Sequence, residues 1–192
     1  MQQARSHLRR GGVFVQWMNI DFVDESLLRS LVATINDVFP HVRVYRPAPP
    51  TLLFLASDEA IGPEHQIDDT RAAFAAAPDH YARLGLHVIE DLIAMLALDD
   101  RGASAFAGDA PIISDDRNRF ATAGVHDFGR SIGMVQVGRM LARHDPLLDP
   151  GSFFYRELNG RIDYGCLGRR VGAYLQADSS VRDRLERYAN AF

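Results

Sequence analysis

The chain has 192 residues, 47% of them hydrophobic, and a formal net charge of −4 at neutral pH. A chain of this size can bury one core with a helical annex, but not two full domains. The acidic balance argues against a nucleic-acid partner, because neutralising phosphates takes a concentrated excess of Lys and Arg.

Cysteine content and the apolar runs indicate the compartment. Cys166 is the only cysteine, which excludes an internal disulfide and fits a reducing cytosol. The longest purely apolar runs, such as residues 92–98, are far shorter than the ~20 residues of a membrane span. We therefore expect a cytoplasmic protein with no membrane span.

The first ten residues have the pattern of a helix end. Basic side chains gather towards Arg10, where cations complement the helix dipole, and Gly11 supplies the stop. A helix that ends so soon after Met1 suggests a truncated chain. A short native N-terminal helix is the alternative.

A strand that begins at Val13 and ends at Met18 is the first strong element. It shows no alternation of polar and apolar residues, which is typical of a central strand covered by helices on both faces. Gln16 is its one polar interruption. We therefore predict that this strand is buried on both sides.

A helix, a strand and a returning strand follow. Asp21 or Asp24 is expected to cap the helix, and Pro40 ends it. Short strands over residues 42–45 and 51–56 flank a proline-rich turn, which makes a hairpin. The apolar residues at helical spacing are Leu27, Leu28, Leu31, Val32, Ile35, Val38 and Phe39.

After Ser57 the pattern changes to helices with short punctuation. Residues 1–57 are therefore predicted as a sheet-forming unit and residues 58–192 as a helical extension, with a polar loop at 108–118. The predicted helices cover residues 65–77, 79–84, 88–98, 103–107, 127–143, 152–158, 164–176 and 180–191.

Two stretches carry a family resemblance. One runs from Gly11-Gly12-Val13 through the amphipathic helix to a strand ending at Ser57, and the other is Asp-Asp-Arg-Asn-Arg at residues 115–119. Together they resemble the C-terminal part of spermidine synthase-like proteins, which are polyamine aminopropyltransferases. The resemblance covers about residues 5–120, and the order of its pieces is more specific than any one of them.

The resemblance implies an α/β fold. The chain would be the C-terminal half of a Rossmann-like, class I methyltransferase-like sheet, followed by an α-helical extension. Residues 13–18 would be the fifth strand of that sheet and the hairpin its last two strands.

The resemblance also implies an activity. Enzymes of this family transfer the aminopropyl group of decarboxylated S-adenosylmethionine to a polyamine such as putrescine. Their catalytic aspartates and glycine-rich nucleoside turn would lie before Met1. We therefore expect no cofactor bound by this chain alone, and decarboxylated S-adenosylmethionine or S-adenosylmethionine in a full-length relative.

Two departures support this expectation. The sequence contains neither Gly-x-Gly-x-x-Gly nor a phosphate-binding Gly-x-x-x-x-Gly-Lys-Ser/Thr. The tyrosine-containing acceptor loop of the family is replaced by Pro-Ala-Pro-Pro at residues 47–50. This replacement puts putrescine in doubt as the acceptor.

Few residues stand out as site candidates. Gln16 matches a family glutamine near the amine acceptor and is predicted to bind substrate, the alternative being a polar residue satisfied by backbone. Asp115 and Asp116 could act as an acid–base pair or a weak cation site, or be a solvated pair beside Arg117 and Arg119.

Histidines and the cysteine give no further site. The seven histidines show no His-x-His or His-x-x-x-His spacing, so a metal site would need distant partners. Cys166 is predicted as a buried structural thiol. No catalytic or metal-binding residue is assigned.

Three functions remain open. The first is an aminopropyltransferase-like chain that is catalytically incomplete alone, and the second is an S-adenosylmethionine-dependent methyltransferase relative. The third is a non-enzymatic interaction module. The first and third share a prediction, because the exposed edge of the first strand would pair with a second copy or with a missing N-terminal half.

Overall fold

The computed structural model describes residues 1–20, 23–48, 50–114, 133–148, 152–158 and 160–177. The strands are β1 (Phe14–Asn19), β2 (His41–Ala48), β3 (Thr51–Ser57) and β4 (Leu96–Leu98). The helices are α1 (Gln2–Ser6), α2 (Glu25–Val38), α3 (Ile67–Ala76), α4 (Pro78–Ala82), α5 (Ile89–Ala94), α6 (Asp100–Ala107), α7 (Gly133–Ala142), α8 (Phe153–Leu158) and α9 (Tyr164–Ala177). Short 3₁₀ turns lie at Pro63–His65 and Pro146–Leu148.

The strands form one sheet in the order β1-β3-β2-β4. Each neighbouring pair is antiparallel. Since β3 runs antiparallel to both β1 and β2, these two strands are parallel to each other, and α2 connects them. The chain is therefore mixed α/β, as predicted, and the returning arm of the hairpin lies between the two parallel strands.

Helices cover the sheet on two sides. Residues of α2, α6 and α7 form one core cluster with one face. Residues of α3, α5, α8 and α9 form a second cluster with the other face, against which Leu53 and Leu55 of β3 pack. The described elements thus make three layers.

Helix α2 follows its predicted pattern. The Leu27 amide donates to the Asp24 carboxylate at 2.7 Å, which caps the first turn, whereas Asp21 lies outside the described residues. All seven apolar residues predicted for its inner face are buried. Burying them drives the helix onto the sheet.

The predicted burial of the first strand on both faces is wrong. Along β1, inward and outward residues alternate, and Val15 and Trp17 are 57% and 55% exposed. The reason is the position of β1, which lies at the edge of the described sheet, where none of the described helices of the second layer covers it. An apolar run therefore does not distinguish a covered strand from a half-covered one.

The predicted helix over residues 88–98 is also wrong in its second half. Helix α5 ends at Ala94, and β4 follows at once, pairing Leu98 with Val44 and Leu96 with Tyr45. A wholly apolar run has no helical or strand period of its own, so the free edge of β2 decided its structure. The segment after Ser57 thus completes the sheet and supplies α6 to its core.

The remaining boundaries shift by a few residues. Helix α1 ends at Ser6 rather than Arg10, and Gly11 takes a positive φ of 69° in the turn that follows. Arg5 fixes this region by donating to the Val38 carbonyl at 2.7 Å and pairing with Asp58 at 2.6 Å. The predicted helix over 180–191 lies outside the described residues. Within the described ranges, no helix is long and apolar enough to cross a bilayer.

Candidate functional site

A charged cleft of about 330 Å³ lies where β2 begins. Strand β2, the start of α6, the turn at residues 63–65 and helix α8 form its walls. The residues that line it are His41, Arg43, Ala60, Glu64, His65, Asp99, Asp100, Arg101 and Glu157.

A buried ion pair forms the floor of this cleft. Arg43 Nη2 donates to Glu64 Oε1, and Arg43 Nε donates to the Ile61 carbonyl at 2.9 Å. The two charged side chains are only 6% and 2% exposed. The other carboxylate oxygen of Glu64, Oε2, has no hydrogen-bond partner among the described residues. Burial accordingly raises the pKa of Glu64 above its ordinary value, although the positive charge of Arg43 opposes the rise.

Gly62 gives the Glu64 carboxylate its place. Its φ is +141°, and a Cβ built there would collide with the Glu64 carboxylate. Only glycine meets both conditions without strain. The turn formed by Gly-Pro-Glu-His at residues 62–65 thus directs the Glu64 carboxylate into the interior.

The first turn of α6 brings two more carboxylates to the cleft. Asp99 caps the helix by accepting from the Gly102 amide at 2.7 Å. Asp100 then reaches β2, where its Oδ1 accepts from the Val42 amide at 2.9 Å and its Oδ2 lies 3.1 Å from His41 Nδ1. The Asp100 carboxylate therefore joins the first turn of α6 to the start of β2.

His65 contacts a carboxylate of α8, which forms another wall of the cleft. Its Nδ1 lies 2.9 Å from Glu157 Oε2 on α8, and its Nε2 lies 3.6 Å from Glu64 Oε1. The cleft thus contains two imidazole–carboxylate pairs, His41–Asp100 and His65–Glu157.

The charge of the cleft favours cations. Four carboxylates face two guanidinium groups, so the acidic side chains of the cleft outnumber its arginines. Most of these charges already pair across elements, which makes the cleft a junction that holds β2, α6 and α8 together. Within the described residues, no group of three or more His, Cys, Asp or Glu side chains is placed to hold a metal ion.

Burial shifts the pKa of two further titratable groups. The pKa of Tyr45 is raised by burial, and the negative Glu64 adds to the rise. The pKa of His144 is lowered by burial and then by the positive charges of Arg29 and Arg143.

A second depression, of about 430 Å³, lies beside the start of α2 and the end of α6. This is the end of the sheet at which the carboxyl ends of β1 and β2 lie. Arg29 at this depression pairs with Glu25 at 3.1 Å and donates to the Phe106 carbonyl at 3.1 Å. Its lining residues are Glu25, Ser26, Arg29, Ala107, Asp109, Ala110 and Pro111.

The predicted site residue Gln16 lies in the middle of β1, outside both depressions. Its Nε2 donates to the Trp17 carbonyl at 2.7 Å. This local contact is what the alternative of a backbone-satisfied residue predicts. Substrate binding by Gln16 stays a prediction.

The other candidates are divided between described and undescribed parts of the chain. Asp115 and Asp116 lie outside the described residues. Cys166 is half-buried near the start of α9, so the predicted buried thiol is wrong. The cause is its place in the first turn, where its amide donates to Asp163 Oδ1 at 2.9 Å and the apolar face of α9 is carried by Leu167 and Val171.

The residues of the charged cleft were not predicted. His41 and His65 are 24 positions apart in sequence, and no spacing rule connects them. The one usable signal is Asp99-Asp100 ahead of a helix, which indicates an N-cap. Placing that cap beside His41 requires knowing that β4 pairs with β2.

No protein-family model, curated protein or solved structure matches the chain.

Proposed function

We propose that this chain is the closing half of a class I methyltransferase-like fold in a spermidine synthase-like protein. The parent activity would be aminopropyl transfer from decarboxylated S-adenosylmethionine to a polyamine. The observation that carries the proposal is the sheet order, in which parallel β1 and β2 are joined by α2 and the hairpin strand β3 lies between them. This arrangement agrees with the resemblance, which makes β1 the fifth strand and the hairpin the last two.

The strand directions indicate at which end of the sheet a substrate would bind. Open α/β sheets bind ligands outside the carboxyl ends of their parallel strands. In this chain those ends are Asn19 of β1 and Ala48 of β2. The charged cleft lies at the opposite end of the strands, where β2 begins at His41. We therefore assign it no part in the transfer reaction.

The residues at the carboxyl ends of β1 and β2 do not by themselves fit the cofactor. In the transfer, an amine would attack the aminopropyl carbon next to the sulfonium of decarboxylated S-adenosylmethionine, so that a C–N bond forms, the C–S bond breaks and 5′-methylthioadenosine leaves. Among the described residues that line the depression at this end of the sheet, Glu25 and Arg29 pair with each other, and none belongs to a glycine-rich nucleoside turn. The proposal therefore requires that the nucleoside site be completed by other residues, placed along the outer edge of β1.

Calorimetry of the purified chain with S-adenosylmethionine and with its decarboxylated form tests this requirement. We expect no binding to this chain alone. Joining the chain to a preceding segment that carries a Gly-x-Gly turn and an aspartate-rich loop should restore binding, with release of 5′-methylthioadenosine when a polyamine is added. Micromolar binding to the isolated chain would overturn the division of the site, and S-adenosylhomocysteine as product would favour the methyltransferase relative.

A second candidate function is an interaction module. Strand β1 carries no charged residue, and in the described part of the chain only β3 pairs with it. Such an edge favours pairing with another strand. The two candidates differ in the partner they need, because only the transferase partner must carry a nucleoside-binding turn.

A further inference from the structure

In the described part of the chain, β1 pairs through its backbone with β3 alone, so its other edge is open. The register between the two strands has no shift, and just beyond it the Ile20 amide donates to the Pro50 carbonyl at 2.9 Å. Backbone groups alternate between the two sides of a strand, so the even-numbered residues of β1 bond to β3. The amides and carbonyls of Val15 and Trp17 therefore point outwards.

The Gln16 side chain already occupies one of these outward groups. Its amide nitrogen donates to the Trp17 carbonyl at 2.7 Å. The contact gives a hydrogen bond to a carbonyl that has no strand partner among the described residues. A backbone N–H of an incoming strand can take the place of this side chain, because both are amide donors.

The sequence of β1 is self-complementary about Gln16. When two copies run antiparallel with Gln16 opposite Gln16, Val15 of each copy lies opposite Trp17 of the other, and Phe14 lies opposite Met18. Each pair then joins residues of like polarity on the same side of the sheet. No charged residue of β1 loses its hydration, because the strand contains none.

The same register agrees with the directions of the backbone groups. Val15 and Trp17 have outward groups, so each Val15–Trp17 pair exchanges both N–H···O bonds. Gln16 has inward groups, so the central pair is of the closer, non-hydrogen-bonded kind, with Cα atoms ~4.5 Å apart. Val15 and Trp17 are more than half exposed, and the pairing places the two against each other as a β-branched and aromatic contact.

We propose that two copies of this chain pair through β1 about a two-fold axis at Gln16, which makes one continuous sheet across both copies. A two-fold interface brings the same patch of both subunits together, and β1 matches itself in this way. The pairing rests on the interaction module, the second candidate function, and it names a second copy as the partner. The transferase proposal gives the same edge to a nucleoside-binding segment, and calorimetry with S-adenosyl compounds tests that proposal separately.

Hydrogen exchange of the native chain, followed by NMR, tests the pairing without any variant. The Val15 and Trp17 amides should exchange roughly ten-fold more slowly at high protein concentration than in dilute solution, because the second strand bonds them. The Gln16 and Met18 amides are the internal control, since they bond to β3 at every concentration.

Two results of this exchange measurement would overturn the pairing. Outward amides that exchange freely at every concentration would exclude a second copy, and the interaction module would then need a different partner. Outward amides that are protected at every concentration would overturn the interaction module as well, because the chain itself would cover its edge.

Disulfide trapping tests the register. Cys166 is first replaced by Ser, since it is the only cysteine in the chain. Gln16→Cys should then form a linked dimer under mild oxidation, because Cα atoms ~4.5 Å apart permit a disulfide. The matched control Val13→Cys would lie ~20 Å from its counterpart across the axis, so it should link roughly ten-fold more slowly. Equal linking of the two variants, or association without a link at residue 16, would overturn the proposal.

Discussion

At the scale of single residues, the buried position of the Glu64 carboxylate depends on the absence of a side chain at Gly62. The Glu64 carboxylate rests where a Cβ of residue 62 would lie, and the backbone there has a positive φ. We predict that Gly62→Ala lowers the free energy of unfolding by roughly 3 kcal/mol, because the side chain forces the buried Glu64 away from Arg43. Urea unfolding followed by circular dichroism measures the loss.

Gly85→Ala is the matched control. Gly85 also has a positive φ, of 76°, but no atom lies within 4 Å of the position that a Cβ would take there. It should cost only about 1 kcal/mol, from backbone strain alone. Equal losses in the two variants would show that the Glu64 contact contributes nothing.

The raised pKa of Glu64 predicts a pH dependence of stability. The ordinary pKa is 4.5 and the folded value is higher. Between the two values the folded chain holds a proton that the unfolded chain has released, so the contribution of Glu64 to stability falls as pH rises through this window. Glu64→Gln removes the titration and should remove that fall.

Urea unfolding of both chains from about pH 4 to pH 7 tests this sign. The stability of the native chain relative to Glu64→Gln should decrease as the pH rises. Parallel curves would mean that Glu64 titrates alike in the folded and unfolded states. A relative increase would mean that Arg43 outweighs burial.

The sequence could not have indicated this pair. Arg43 and Glu64 each read as ordinary surface residues, since neither lies in a motif and charged residues are seldom fully buried. Their burial results from two tertiary events: Arg43 falls on the helix-covered face of a central strand, and the turn at Gly62 folds back over it. Both events depend on strand pairing rather than on local pattern.

At the scale of elements, helix α6 packs closely against the backbone at His144. A Cβ on Gly102 would collide with the His144 carbonyl oxygen. Helix propensity alone predicts that Gly102→Ala stabilises the chain by about 1 kcal/mol. We predict the opposite, a loss of roughly 1–3 kcal/mol, because the backbone at His144 must move in a packed region.

Ser104→Ala in the same helix is the control. Ser104 is exposed, so the change should follow propensity and raise stability by about 0.5 kcal/mol. Thermal unfolding of the two variants separates the effects. A stabilised Gly102→Ala chain would contradict the close approach of α6 to residue 144.

Local signals predicted some elements well and others not at all. Helix α2 carries a cap, an apolar stripe and a terminating proline, so its existence, bounds and buried face all followed from sequence. Strand β4 carries none of these signals, because Leu96-Ala97-Leu98 is equally compatible with the end of a helix. Only the unfilled edge of β2 gives it a strand structure.

At the scale of the whole molecule, the two ends of the sheet have different roles. The amino end of β2 is closed by the paired charges of the cleft, which join layers on both sides of the sheet. The carboxyl end is open and polar beside α2. The sequence predicted β1, β2, β3 and the hairpin but not β4. Placing the cleft at one end of the sheet and the depression beside α2 at the other required the strand order.

In the part of the chain that the structure describes, no strand lies beside the outer edge of β1. Natural edge strands avoid pairing by carrying a charge, a proline or a bulge, and Phe-Val-Gln-Trp-Met-Asn has no charge or proline. We therefore predict that the purified chain self-associates through β1. Gln16→Lys should weaken that association roughly ten-fold, because the ammonium would be desolvated beside an incoming strand.

Light scattering over a range of protein concentrations measures this association, with Gln16→Thr as the neutral control of similar strand propensity. Gln16 is only half-buried, so neither change should unfold the chain. Association that persists in Gln16→Lys would place the contact elsewhere than on β1. A native chain that is monomeric at every concentration would mean that its edge is already covered, and the transferase proposal would then lose the position at which the nucleoside-binding half is expected to join.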